Sequence, residues 1–167
     1  MEDYIYIGQV EIEGDFTPEK AFFTEDEARE WMRERFLELS KENRIPKDDW
    51  KWSIVNPSFF SAADKEWTCV SLNYPFRVRI FRFKTSAKDF REVYVCQTTD
   101  TEDSEIRLLC FTEDEAREWM RTEFVEYRDS LAADNSRFYW NHDDGWWYCG
   151  DEDEHMDWEI FRLPLPE

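Results

Sequence analysis

The chain has 167 residues, 41% hydrophobic and 18% aromatic, with a formal net charge of −19. That length holds one ordinary domain or two small ones, and the apolar content suffices for a packed core, so the chain is not disordered despite 37% charged residues. The charge repels nucleic acid and anionic membrane surfaces and favours a basic partner, and no run is apolar enough to span a bilayer.

The first element in chain order is a β-rich segment at residues 4–12, followed by a turn at Glu13-Gly14-Asp15 and a short returning strand at 20–23. Thr24 then opens a helix. With Glu27 it forms a capping box that satisfies two free amides, and Glu25, Asp26 and Glu27 set negative charge at the positive end of the helix dipole. Ala28, Trp31, Met32, Phe36 and Leu39 make one apolar stripe, and the helix is expected to end near 41–43, before Ile45-Pro46. A strand follows at 49–55. Residues 58–61 and 67–72 are predicted to pair as a hairpin around 63–66, and another strand runs from 76 to 83. In that last strand Val78 and Ile80 alternate with Arg77 and Arg79, but Phe81 and Phe83 fall on the opposite phase. A bulge there, or burial on both faces, would explain the switch.

The sequence then repeats. Residues 23–33 recur letter for letter as 111–121, an offset of 88. Tyr6 and Gln9 match Tyr94 and Gln97 at the same offset, Phe36 matches Phe124, Trp67 matches Trp146 at 79, and Ile80-Phe81-Arg82 match Ile160-Phe161-Arg162 at 80. Self-similarity in one order is the mark of a duplicated unit. The expected fold is α+β: a tandem duplication of a strand-strand-helix-strand-strand(-strand) unit, each an antiparallel sheet with one helix packed on it. The first repeat spans 1–88, with 84–88 as linker, and the second spans 89–167. Each is near the lower size limit for a self-sufficient core, so the copies are expected to pack together about a pseudo-twofold.

Catalytic signatures are missing. The chain has no glycine-rich phosphate loop, nucleophile elbow or zinc-protease motif, and no nucleophile accompanies His142 or His155. No catalytic residue, cofactor or metal is therefore assigned. Cys69, Cys96, Cys110 and Cys149 form no C-x-x-C pair and read as free, buried thiols of a reducing compartment, although Cys96 and Cys110 flank one hairpin. A calcium loop at residues 141–145 fails because Trp140 stands where an oxygen ligand is needed. The acidic N-terminus is no secretory signal, and an intracellular, cytoplasmic location is expected, with nucleus or virion as alternatives.

Charge is unevenly shared. Residues 1–88 carry 17 acidic and 14 basic side chains, a net of −3, and residues 89–167 carry 23 and 7, a net of −16. The acidic groups Glu102, Asp103, Glu105, Asp143, Asp144, Asp151, Glu152, Asp153 and Glu154, with Trp140 and Trp147 beside them, are the predicted partner-binding residues. A solvated face is the plainer explanation of such runs. The functional expectation is a non-enzymatic acidic module that binds a basic protein, with no direct nucleic acid or membrane partner. Its sharper form is a nucleic-acid mimic that inhibits a basic nucleic-acid-binding protein, as virus- or phage-encoded antagonists do. The alternative is an assembly protein whose repeats mediate oligomerisation. The basic groups of the first repeat, Arg77, Arg79 and Arg82 among them, point to pairing with the acidic copy, within the chain or by self-association. A small-ligand binder or enzyme is third, and a polar pocket with converging carboxylates and a histidine would favour it.

Overall fold

The computed structural model describes residues 3–85, 89–100, 103–134, 139–143, 146–150 and 155–166. The elements of the first half are β1 (Tyr4–Ile12), β2 (Asp15–Phe22), α1 (Glu25–Glu42), a 3-10 turn (Lys47–Asp49), β3 (Trp50–Val55), β4 (Lys65–Ser71) and β5 (Phe76–Lys84). Those of the second half are β6 (Glu92–Thr99), β7 (Ser104–Cys110), α2 (Glu113–Asp134), β8 (Tyr139–Asp143), β9 (Trp146–Gly150) and β10 (His155–Pro164). The fold is α+β, with two antiparallel five-stranded sheets ordered β2-β1-β5-β4-β3 and β7-β6-β10-β9-β8.

The β1–β2 hairpin closes through Glu13 and Gly14, at φ 54 and 93, the left-handed backbone that a two-residue turn requires. β2 begins at Asp15, earlier than expected, because it accommodates Pro18 on the sheet edge, beside a register shift between Gly8 and Gln9. Gly8 is demanded by packing: a Cβ there would lie 2.4 Å from the Trp31 ring.

Both helices start where the sequence predicts, although the Glu27 carboxylate takes the Thr24 hydroxyl rather than a second backbone amide. The Thr24 hydroxyl accepts from the Glu27 amide at 3.3 Å and donates to the Glu27 carboxylate at 2.6 Å, and Thr112 accepts from the Glu115 amide at 3.2 Å. α1 ends where Asn43 gives both its backbone N–H and its side-chain Nδ2 to the Leu39 carbonyl. Ala28, Trp31, Met32 and Leu39 pack on Trp67, Val78 and Ile80 of the first sheet. Met120 and Phe124 pack on Cys149 and Trp158 of the second, with Phe124 edge-on to Trp158 at 5.5 Å.

The other faces of the sheets pack on each other. Ile5, Ile7, Ala21, Phe81 and Phe83 meet Val93, Val95, Ile106, Leu163 and Leu165 in one buried cluster. The layers therefore run helix, sheet, sheet, helix. β5 is apolar on both faces because Val78 and Ile80 look to α1 while Phe81 and Phe83 look to the second sheet. The bulges lie instead in the second strand of each half, where Glu19 and Arg107 are the extra residues opposite Gly8/Gln9 and Cys96/Gln97.

Two expectations need correction. Residues 58–61 do not form a hairpin arm: β4 pairs with β3, and residues 56–64 form a loop that reaches the second sheet. There the Ser61 hydroxyl donates to the Ile106 carbonyl at 2.5 Å and the Ala62 amide to the Arg107 carbonyl at 2.8 Å, which covers the exposed edge of β7. The sequence match of Trp67 to Trp146 is also one residue out. Trp146 lies opposite Glu159 as Thr68 lies opposite Arg79, and Trp147 lies opposite Trp158 as Cys69 lies opposite Val78. A one-residue slip exchanges the faces of a strand. Trp67 is accordingly buried under α1, whereas Trp146 is 38% exposed.

Candidate functional site

Where the sheets meet, the two matching glutamines of β1 and β6 touch. Gln9 Nε2 donates to Gln97 Oε1 at 2.7 Å, and both residues are fully buried. One amide–amide bond is directional, so the pair presents an oxygen at one end and an N–H at the other. The outward oxygen of Gln9 accepts from Arg79 Nη1 at 3.3 Å, and the outward N–H of Gln97 donates to Glu159 at 3.3 Å and to the Phe16 carbonyl at 3.0 Å. A donor is needed at one end and an acceptor at the other. Arg79 and Glu159 supply them from the same register position, opposite Gln9 and Gln97, in their two sheets.

Groove one, on the Arg79 side, encloses about 330 Å3. Arg79 Nε binds Glu66 at 2.8 Å, with both side chains only 7% exposed, and its Nη1 donates to the Ser104 carbonyl at 2.7 Å and to Asp103 at 3.3 Å. Its guanidinium lies 4.6 Å from the Phe81 ring centre. Arg77 bridges Glu11 at 3.2 Å and Asp103 at 3.0 Å. Residues Val55, Asn56, Ser58 and Ser61, from the end of β3 and the following loop, form part of its wall. The acids here are met by the chain's own arginines.

Groove two, on the Glu159 side, encloses about 480 Å3 and is built from the matching positions. Asp157 and Glu159 stand where Arg77 and Arg79 stand, and Thr99 lies opposite Asp157 as Glu11 lies opposite Arg77. Phe161 takes the place of Phe81, and Asp15 that of Asp103. Asp15, Asp100, Asp157 and Glu159 line the groove with His155, Phe16, Trp146 and Phe161, and no lysine or arginine lines it among the described residues. Burial, then the neighbouring charge of Asp157, pushes the Glu159 carboxyl up to about 7, against the pull of the Gln97 hydrogen bond. Burial also raises Asp157, opposed by His155 and by a hydrogen bond from Trp146. Asp157 Oδ1 and Thr99 Oγ1 are buried and make no hydrogen bond within the protein. The connections also differ in length: nine residues, 56–64, join β3 to β4, whereas two, 144 and 145, separate β8 from β9.

Of the residues predicted from sequence, three have described side chains. Asp103 lies in groove one, held by Arg77 and Arg79, and Glu105 lies beside it, 3.5 Å from Arg107. Trp147 is half-buried under α2, edge-on to Phe124 at 4.9 Å. Trp140 and Asp143 belong to β8, but their side chains lie outside the described residues, as do Glu102, Asp144, Asp151, Glu152, Asp153 and Glu154. Asp15, Trp146, Asp157 and Glu159 were missed. The signal was present: aligning the final strands sets Arg77 and Arg79 against Asp157 and Glu159, a double charge reversal at inward-facing positions. Of the cationic groups in the first half, Arg77 and Arg79 reach an acid of the second, while Arg82 pairs with Asp64 of its own half at 2.7 Å.

All four thiols are unbridged and buried, with the Cys96 and Cys110 sulfurs 3.7 Å apart. Among the described residues no group of three or more side chains is placed to hold a metal, and no helix is long and apolar enough to cross a membrane. The chain matches no family model, and no curated protein or solved structure is significantly similar to it.

Proposed function

We propose that the chain is a tandem duplication of a β-β-α-β-β-β unit whose copies face each other about an approximate twofold through Gln9 and Gln97, and that it acts as a non-enzymatic acidic module binding a basic protein. Groove two carries the reading. It gathers four carboxylates and an accessible indole without a lysine or arginine among its described lining residues, on the half that holds most of the negative charge. Acidic surfaces that steer and seat a basic partner are built this way. A nucleic-acid-binding protein is the partner class that a charge of −19 suits best, with the module occupying its basic cleft. The four unbridged thiols agree with work in a reducing compartment.

The test is binding to a basic DNA-binding protein, followed by competition. Salt-sensitive binding that duplex DNA displaces supports the reading, and no binding at low salt overturns it. Concentration-dependent assembly without any partner would favour the oligomerisation reading instead.

One observation favours a second reading. Glu159 titrates near neutrality in a groove shared with Asp157 and His155, the setting of an acid–base catalyst. Turnover of a bound small substrate that is lost in Glu159→Gln would establish it.

A further inference from the structure

Groove one shows what the inward-facing positions hold when the chain fills them itself. A guanidinium sits against an aromatic ring, bound to a carboxylate and to a backbone carbonyl of the opposite half. Groove two keeps the counterparts of that receptor without the cation. Phe161 is the ring matching Phe81, Asp15 the acid matching Asp103, and the Phe16 carbonyl matches that of Ser104. Trp146 adds a wall where groove one has only Thr68.

The directional glutamine pair accounts for an acid at 159, but for nothing more. It does not require Asp157 in place of Arg77, nor does it supply a counter-charge for the two. The buried oxygens Asp157 Oδ1 and Thr99 Oγ1 lack partners at the pair of positions where groove one joins Arg77 to Glu11. Buried oxygens without donors are costly, and a planar multi-donor cation is the ligand that relieves several at once. The connection that helps wall groove one is nine residues long, and its counterpart here is two residues long.

We propose that groove two is a receptor for an arginine side chain of the protein's basic partner, with the guanidinium lying against Phe161 and Trp146 and hydrogen-bonded to Asp157 and Glu159. The proposal rests on the basic-partner reading and names the group that partner inserts. Arginine is preferred to lysine, because the flat fork meets two carboxylates and stacks on a ring, whereas an ammonium is a point charge.

The experiment measures binding of fluorescein-labelled hexa-arginine and hexa-lysine at low salt to three proteins: the wild type, Asp157→Asn/Glu159→Gln, and Glu34→Gln/Glu42→Gln. The last removes two carboxylates from exposed positions on α1. The groove variant is expected to weaken hexa-arginine at least tenfold and the α1 variant less than twofold, with wild type preferring arginine over lysine severalfold. Far-UV and near-UV circular dichroism confirm that each variant is folded. Equal weakening by both variants, or equal affinity for both peptides, overturns the arginine receptor while leaving the acidic-module reading standing. No binding of either peptide by the wild type overturns both.

Discussion

The two grooves are one design filled in two ways. They share strand register, a central glutamine, a final-strand phenylalanine and an acid contributed across the sheet interface. Groove one spends two arginines on its own acids and adds a loop to its wall. Groove two places two more acids where the arginines would be and shortens that loop. The comparison separates architecture from use. What both grooves keep holds the halves together; of what differs, Arg79 and Glu159 serve the glutamine pair, and Asp157 in place of Arg77 has no such internal role.

The largest expected effect lies in groove one. Arg79→Met leaves Glu66 buried and unpaired and removes the donor to Gln9, so the fold should lose about 3–5 kcal/mol in urea unfolding. A loss well under 1 kcal/mol would mean that the groove-one ion pair is not structural. Next comes Gly8→Ala, which drives a methyl group into the Trp31 ring and should cost about 1–3 kcal/mol. Its counterpart Cys96→Ala only trims a buried thiol, for about 1 kcal/mol. Equal costs at the two sites would show that the helices seat alike on their sheets.

In groove two the sign reverses. Glu159 holds its proton up to about 7, whereas the unfolded chain releases it near the ordinary value of 4.5. Between those values the folded state binds more protons, so stability falls as pH rises and stays at the lower level above 7. Glu159→Gln should match the wild type at pH near 4 and exceed it at pH near 8, by roughly 2–4 °C in Tm for each kcal/mol recovered. Thermal melts across that range check it, and an equal or lower Tm for the variant at the upper end would contradict the account. The smallest effect belongs to the repeated helix surface. Arg33–Glu30 and Arg121–Glu118 are exposed pairs, so Glu30→Gln and Glu118→Gln should each change stability by less than about 0.5 kcal/mol.

Much of this fold was legible in the sequence because its signals are local. Thr24 and Thr112 mark the helix starts, the stripe from Ala28 to Leu39 marks the buried face, and the offset of 88 marks the second helix with its sheet. The phase switch in the last strand left a bulge or burial on both faces open, and the structure shows burial on both faces. The loop at 56–64 was misread because Phe59 and Phe60 look like strand residues, yet Phe59 is 96% exposed and Phe60 lies against Arg107 of the other half. Groove two was overlooked for a different reason. Acid count and acid runs are dominated by solvated surface, while the informative acids, Asp157 and Glu159, alternate with Met156, Trp158 and Ile160. They matter because the sheet turns them inward toward Gln97, and that follows only from register.

The most direct measurement is chemical-shift mapping of the 15N-labelled protein titrated with argininamide. The account predicts that the largest changes fall on the backbone amides of Gln97, Thr99, Asp157, Glu159 and Phe161 and on the Trp146 indole N–H. They should vanish in Asp157→Asn/Glu159→Gln, while Gln9, Arg77 and Arg79 shift little. Changes spread over the exposed acids of α1 and α2, or equal changes in the two grooves, would contradict it.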